Sequence, residues 1–249
     1  MTTTAPRRSY REALTELASR QKTSKGAPAY SRFVNRPLGR RLAATAYVAG
    51  LSPDQVTLLS ALASFTGIGL VALAPPTVPV AVAVGLLLVL GYALDSADGQ
   101  VARLTGTGSP AGEWLDHVVD ALKLGALHLA VLLAWHRHFE LPEAMLLVPL
   151  GFLVVQSVVF FAMILTDQLR RSLRGQREHF LAGQGGSSAL YSLAVVPTDY
   201  GLMCLLFFAL AWRDGFVVGY TLLAAAMAGF MLLALPKWYL ELRRAGRAR

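Results

Sequence analysis

The chain alternates between long uncharged segments and short segments that carry most of its charge. The longest uncharged segment runs from Gln55 to Leu94 and is interrupted near its middle by the proline-rich sequence 74–79. A membrane-spanning helix needs about 20 apolar residues, and paired prolines are typical of a turn rather than of a helix interior. The segment therefore predicts two spanning helices, at about 55–74 and 78–98, that are joined by a tight hairpin.

Four further segments are long and apolar enough to span a bilayer. They lie at about 112–135, 144–166, 187–212 and 215–235. The segment 187–212 contains Pro197 and Asp199 in its first half, so this helix either kinks there or begins near residue 198, after a segment on the membrane surface. The predicted fold is all-α, a polytopic membrane protein with six transmembrane helices.

An amphipathic segment precedes the first predicted span. From Tyr30 to Gly50, apolar residues such as Phe33 and Leu38 are interspersed with arginines, a pattern that is typical of a helix lying in the membrane interface. The alternative is a basic collar that only fixes the topology. We expect a mobile basic cytoplasmic tail at residues 1–29, the membrane domain at 30–240, and a basic C-terminal tail at 241–249.

Composition excludes several other classes of protein. Apolar residues make up 55% of the chain and charged residues 15%, against about 25% charged residues in an average soluble domain. Mean hydropathy is +0.49. These values exclude a disordered chain and an ordinary cytosolic enzyme, and the single cysteine cannot form an internal disulfide.

The net charge of +8 is explained by topology. All basic residues except Lys123, Arg137 and Arg213 lie in the N-terminal segment, in the loops after the second and fourth spans, or in the C-terminal tail. Short cytoplasmic segments retain Lys and Arg, so both termini are predicted to be cytoplasmic. No nucleic-acid partner is predicted.

Four aspartates flank the predicted loop between the second and third spans. Asp95 and Asp98 are three residues apart at the end of one helix, and Asp116 and Asp120 are four apart at the start of the next, so each pair shares a helix face. A short loop makes the two helices antiparallel neighbours, and the four carboxylates can therefore converge. Such a group near hydrocarbon is costly without a cation, and oxygen ligands favour Mg²⁺, Mn²⁺ or Ca²⁺ over Zn²⁺.

Small and basic residues around the aspartates fit a phosphate ligand. Gly99 and Gly112 carry no side chain where a ligand or a neighbouring helix must come close, and Arg103 places a fixed cation beside the carboxylates. The alternative is a set of helix-end carboxylates that cap helices or face water. That alternative suits one aspartate better than four at these spacings.

The stretch from Asp95 to Asp120 reads D-x2-D-G-x2-A-R-x8-G-x3-D-x3-D. At every fixed position it resembles the signature of the CDP-alcohol phosphatidyltransferases, and the resemblance extends over about residues 30–240. Residues 52–57 are similar to the family's Thr-Pro-Asn-x-x-Thr sequence, with Ser52 and Asp54 in place of Thr and Asn.

The resemblance implies transfer of a phosphoalcohol group from a CDP-linked lipid or alcohol to a small acceptor alcohol, with release of CMP. It implies that Asp95, Asp98 and Asp116 hold Mg²⁺ or Mn²⁺, as two ions, and that Asp120 completes the site and is the general base. It assigns to CDP binding Asp95, Gly99, Ala102, Arg103 and Gly112. It also implies a bacterial inner-membrane enzyme with CDP-diacylglycerol as the usual donor, an active site on the cytoplasmic side, and a possible homodimer.

Three groups of basic residues are candidates for binding the acceptor: Lys123; Arg36 and Arg40; and Arg170, Arg171 and Arg174. Because arginine binds phosphate oxygens in pairs, these residues predict a phosphorylated acceptor such as an inositol phosphate or glycerol phosphate. The arginines could instead hold membrane lipid headgroups. Lys123 could instead be a structural partner of Asp116, Asp120 or Asp199.

Two alternative functions fit parts of the pattern. A CDP-polyol donor would serve the same chemistry. Intramembrane carboxylates also mark cation-coupled transporters, but transporters place them near the bilayer midplane, whereas these aspartates cluster at one membrane face.

Overall fold

The computed structural model of this protein describes residues 9–19, 28–174 and 199–247, and no strand occurs among them. The helices are α1 (Tyr10–Ser19), α2 (Arg36–Ala49), α3 (Pro53–Leu73), α4 (Val78–Thr105), α5 (Pro110–His138), α6 (Leu147–Arg174), α7 (Tyr200–Leu206) and α8 (Arg213–Arg247). A π-helical turn at Ser31–Asn35 precedes α2, and 3₁₀ turns at Glu143–Leu146 and Phe207–Ala209 precede α6 and follow α7. The predicted all-α fold is confirmed.

Within the described ranges, five helices are long and apolar enough to cross a membrane. They are Pro53–Leu73, Val78–Thr105, Pro110–His138, Glu143–Leu173 and Arg213–Ala245. The chain is therefore a multi-pass integral membrane protein, and these helices match five of the predicted spans. Residues 187–198 of the predicted span at 187–212 lie outside the described residues. From Asp199 onward it includes the short apolar helix Tyr200–Ala209, and a sixth span stays a prediction.

Local sequence explains how the helices begin and how α4 turns into α5. The Ser52 hydroxyl accepts the Gln55 N–H at 3.2 Å, and the Gln55 side chain accepts the Ser52 N–H at 2.9 Å, which is a capping box at the start of α3. α4 ends at Gly106, whose φ of 70° lies in the left-handed region that glycine favours. The Ser109 hydroxyl then accepts the Gly112 N–H at 3.0 Å and caps α5. This short turn makes α4 and α5 antiparallel neighbours.

Small residues let α3 and α4 approach closely. A Cβ at Gly91 would overlap the Ser64 hydroxyl and lie 3.2 Å from the Ser60 carbonyl oxygen, so glycine favours this close approach. The Ser60 hydroxyl donates to the Gly91 carbonyl at 2.9 Å across the same interface. The register between the two helices is thereby fixed at the level of the aspartates.

A cluster of aromatic residues fills the bundle at the opposite end of α5. Trp135, Phe207, Phe216 and Tyr220 are almost fully buried there. His128 Nδ1 lies 2.6 Å from the Tyr220 hydroxyl, so these two buried polar groups satisfy one another.

The N-terminal tail prediction is wrong for Tyr10–Ser19. These residues form α1, in which Ala13 is 0% and Leu17 is 1% exposed. Both side chains pack into a small apolar cluster with α2 and α4, which includes Ala43 and Val101. The i, i+4 spacing of Ala13 and Leu17 gives α1 one apolar stripe, and α2 and α4 cover it. The rest of the tail, 1–8 and 20–27, lies outside the described residues.

The C-terminal boundary also differs from the prediction. α8 continues without a break from the membrane domain to Arg247, so residues 241–247 of the predicted tail are helical.

The predicted amphipathic segment is helical and packs across α4. A Cβ at Gly39 would lie 2.9 Å from the Ser96 side chain, and Asn35 Nδ2 donates to the Tyr92 carbonyl at 3.2 Å. Ser96 lies between Asp95 and Asp98, so α2 covers the part of α4 that carries these aspartates. Its position in a membrane interface stays a prediction.

Asp199 connects the start of this segment to α7. Its carboxylate accepts the N–H of Tyr30 at 2.9 Å and the N–H of Gly201 at 3.2 Å. The side chain therefore caps α7 and also anchors the segment that leads into α2.

Candidate active site

Three of the four motif aspartates meet at one point. One carboxylate oxygen from each of Asp95, Asp116 and Asp120 lies within 4.8 Å of the other two. α4 supplies the first, and α5 supplies the other two from one face of the helix. Their all-oxygen donor set fits a hard divalent cation such as Mg²⁺ or Mn²⁺. The convergence of carboxylates predicted from the sequence is confirmed for these three.

Asp98 lies beside this group and has its own partners. Its side chain is buried, with 6% of the residue exposed. One carboxylate oxygen accepts the Thr57 hydroxyl at 2.6 Å, and the other accepts the Gly99 N–H at 2.5 Å. Hydrogen bonds to an ionised acceptor are stronger than neutral ones, so these contacts stabilise the charged carboxylate and fix its direction.

Lys123 is a partner of the aspartates. It is 4% exposed, and its ammonium donates to Asp95 Oδ1 at 2.6 Å and to Asp120 Oδ1 at 3.0 Å. These contacts agree with the structural role, and binding of the acceptor by Lys123 stays a prediction. One of its expected partners, Asp120, is confirmed, and Asp95 is an addition.

A cavity of about 1170 Å³ opens beside the carboxylates. The residues that line it include Asp98, Gly99, Ala102, Arg103, Gly112 and Asp116. A Cβ at Gly112 would lie 3.2 Å from the Asp54 carboxylate, so glycine leaves room between α3 and α5. Ligand pockets usually measure about 300–1,000 Å³, so this cavity has the size for a nucleoside diphosphate and more. The residues predicted to bind CDP therefore share one cavity, apart from Asp95, which lies in the adjacent carboxylate group.

Arg171 lies on the wall of the same cavity. One guanidinium nitrogen is 2.7 Å from Glu113 on α5 and also 2.7 Å from Asp167 on α6. The pair with Glu113 joins α6 to α5 beside the cavity, and the pair with Asp167 lies within α6. Arg171 therefore lies nearer the predicted CDP contacts than the sequence indicated.

The other predicted acceptor arginines lie on two helices, α2 and α6. Arg170 pairs with Glu241 of α8 at 2.5 Å. Arg36 and Arg40 are on α2, where the Arg36 carbonyl accepts a hydrogen bond of 3.5 Å from Gln100. The side chain of Arg174 lies outside the described residues. A common acceptor pocket stays a prediction.

Sequence reasoning missed four polar residues that support the site: Thr57, Ser60, Glu113 and Asp167. Thr57 occupies a fixed position of the 52–57 sequence, so the motif itself could have indicated it. Ser60 and Glu113 were not found because their partners, Lys123 and Arg171, are distant in sequence and on other helices. Asp167 lies four residues before Arg171 on α6, so this i, i+4 spacing could have indicated it.

Converging carboxylates at one end of a transmembrane bundle, next to a cavity that contains an arginine, fit a membrane-embedded, metal-dependent phosphotransferase. The sequence profile of the CDP-alcohol phosphatidyltransferase family matches residues 51–237. The chain belongs to this family. It is therefore a metal-dependent enzyme of phospholipid biosynthesis that transfers a phosphoalcohol group from a CDP-linked donor.

Solved structures of the phosphatidylinositol phosphate synthase of Mycobacterium tuberculosis have a similar fold. The structure with CDP-diacylglycerol bound shares 24% sequence identity with this chain. The alignment covers 83% of this chain and 94% of the synthase chain, with a TM-score of 0.53. The structure in complex with manganese and citrate shares 25% sequence identity, and the alignment covers 83% of this chain and 89% of the synthase chain, with a TM-score of 0.54. The apo form shares 22% sequence identity, and the alignment covers 80% of this chain and 94% of the synthase chain, with a TM-score of 0.53. No curated protein sequence matches the chain.

Proposed function

We propose that this enzyme transfers the phosphatidyl group of CDP-diacylglycerol to a phosphorylated polyol, such as an inositol phosphate or glycerol phosphate, and releases CMP. The observation that carries the proposal is the cavity that joins the motif residues Gly99, Arg103 and Gly112 to the carboxylates. A donor of this kind fits the position of the cavity at the end of a transmembrane bundle. The similar synthase that binds CDP-diacylglycerol supports the donor assignment.

The carboxylates would hold the divalent cation, which neutralises diphosphate charge and stabilises the departing CMP. Asp95, Asp116 and Asp120 are candidate ligands, since one carboxylate oxygen of each lies within 4.8 Å of the other two. Asp98 adjoins them and borders the cavity, and Thr57 directs its carboxylate. The manganese in the similar synthase supports this assignment.

Asp120 is the proposed general base. Its carboxylate would take the proton of the acceptor hydroxyl, whose oxygen then forms a bond to the phosphorus of the phosphatidyl group. The bond between that phosphorus and the oxygen of CMP breaks, and CMP leaves with the electron pair. Arg103, which lines the cavity, would hold the diphosphate in the position for this displacement.

Product identification tests the substrates. Purified protein would be incubated with CDP-diacylglycerol, Mn²⁺ and inositol phosphate, glycerol phosphate, free inositol or serine, and the lipids analysed by mass spectrometry. We expect a phosphatidyl product with a phosphorylated acceptor. Faster turnover of a neutral acceptor, or turnover only with a CDP-polyol donor, would contradict the substrate assignment.

Arg171 is the predicted acceptor residue that the structure places in the cavity. If it binds the acceptor phosphate, Arg171→Ala loses a charge-assisted bond of about 1.5–3 kcal/mol, which raises the acceptor KM about 10- to 100-fold. The donor KM should stay within about twofold of the wild-type value. Arg137→Ala, at the other end of α5, is the matched control. A rise in the donor KM instead would show that Arg171 contributes to binding of the CDP donor.

We place the active site on the cytoplasmic side of the bacterial inner membrane, on the basis of the basic residues at the same end of the helices. A cysteine at exposed Thr107 should then react with an impermeant thiol reagent only after cells are opened. A cysteine at exposed Glu140 should react in intact cells. The reverse pattern would overturn this orientation. The homodimer implied by the family resemblance is testable by light scattering of the detergent-solubilised protein.

A further inference from the structure

The environment of the Lys123 ammonium is complete without any added ligand. An ammonium has three donors, and here they meet three acceptors: Asp95 at 2.6 Å, Asp120 at 3.0 Å and Ser60 at 3.1 Å. Ser60 donates its own proton to the Gly91 carbonyl, so its oxygen is available to accept. The acceptors come from α3, α4 and α5, and Ser60 is fully buried. This is a specific site for one positive charge.

The ammonium contacts two of the three carboxylates that could hold a metal ion, Asp95 and Asp120. Mg²⁺ binds oxygen at about 2.0–2.1 Å, so an ion shared by these carboxylates would compete with the ammonium for the same two oxygen atoms. Both cations beside the same oxygens would also repel each other strongly in a buried, low-dielectric setting. A tethered ammonium needs no binding from solution, and it therefore has the advantage over a second ion.

We propose that Lys123 takes the place of one of the two metal ions implied by the family resemblance, and that this enzyme binds a single divalent ion. The inference rests on the proposed function only in assigning the carboxylates to a metal ion. Asp95 and Asp116, with the adjacent Asp98, remain for that ion. Lys123 is a positioning residue that fixes the carboxylate of Asp120.

Manganese binding to the purified wild-type protein tests the inference without any substrate. Equilibrium dialysis with metal analysis should give about one Mn²⁺ per chain at the site, and electron paramagnetic resonance should show an uncoupled Mn²⁺ spectrum. Paired ions in two-metal sites lie about 3.5–4 Å apart and couple magnetically. Two bound Mn²⁺ ions per chain with a coupled spectrum would overturn the proposal.

A pair of lysine variants provides the second arm. Lys123→Met removes the ammonium with little change in volume, and Asp95 and Asp120 should then accept a second Mn²⁺, giving about two per chain with coupling. Lys237→Met, at an exposed position on α8, should still bind about one. One ion in folded Lys123→Met would refute the replacement of a metal by the lysine. If that variant does not fold, Ser60→Ala removes the third acceptor together with the hydrogen bond to the Gly91 carbonyl. Folded Ser60→Ala should bind a second Mn²⁺ more tightly than wild type, and an unchanged affinity would count against the proposal.

CMP release, measured on the same samples, separates this inference from the proposed function. One bound Mn²⁺ with no CMP release from any CDP-linked donor would leave the ion count intact and overturn the function. CMP release with two bound ions would retain the function and overturn the inference. No bound ion in any sample would overturn the assignment of the carboxylates to metal, and with it both proposals.

Discussion

The Thr57 hydroxyl should contribute more to binding of the donor and metal than to the chemical step. It lies 2.6 Å from Asp98, and both residues are buried. Thr57→Val keeps the shape of the side chain and removes one hydrogen bond to a charged acceptor. Such a bond contributes about 1.5–3 kcal/mol, so we expect the donor KM to rise about 10- to 100-fold, with a smaller change in kcat.

The assay is CMP release at saturating Mn²⁺ over a range of CDP-diacylglycerol concentrations in detergent micelles. Thr66→Val is the matched control, because Thr66 lies exposed on the same helix and its hydroxyl donates to the Leu62 carbonyl one turn earlier, at 2.7 Å. It should leave the donor KM within about twofold of wild type. Equal donor KM values for the two valine variants would refute the role assigned to the bond between Thr57 and Asp98.

Three further predictions concern the base, the helix packing and the metal. Asp120→Asn should retain CDP-donor binding while turnover falls by about 10²–10⁴, and near-normal turnover would exclude Asp120 as the base. Gly91→Ala should lower the thermal unfolding midpoint because its Cβ would overlap the Ser64 side chain. The control Gly69→Ala, whose Cβ would meet open space, should leave the midpoint unchanged, and equal midpoints for the two variants would contradict the packing argument. EDTA should abolish CMP release and Mg²⁺ or Mn²⁺ should restore it, so full activity in metal-free buffer would contradict the metal site.

The positions of the motif aspartates could be predicted because local geometry determines them. Two residues four apart on a helix share a face, and a short turn between two helices makes them antiparallel neighbours. From these rules alone, Asp95 is predicted to lie near Asp116 and Asp120, without knowledge of the rest of the fold. The spans at α3 to α6 and α8 followed from hydropathy, since each contains a stretch apolar enough to cross a membrane.

The contacts that complete the site depend on helices that are distant in sequence. Ser60 meets Lys123 only because α3 packs closely on α4 and α5, and that spacing depends on Gly91. Arg171 meets Glu113 across the gap between α5 and α6. In α1 the apolar stripe is short, and its burial depends on the surfaces that α2 and α4 present. Such pairings follow from tertiary packing, which spacing along a single chain does not determine.

The most direct test of the assignment compares wild type with Asp116→Ala in the conversion of CDP-diacylglycerol to CMP. Asp116 both borders the cavity and belongs to the carboxylate group, so its loss removes a metal ligand beside the donor. With Mn²⁺ and a phosphorylated acceptor, wild-type protein should form CMP and a phosphatidyl product in equal amounts, and Asp116→Ala should form neither above background. Product formation by Asp116→Ala at the wild-type rate, or its absence from wild-type protein with every acceptor and donor offered, would contradict the account.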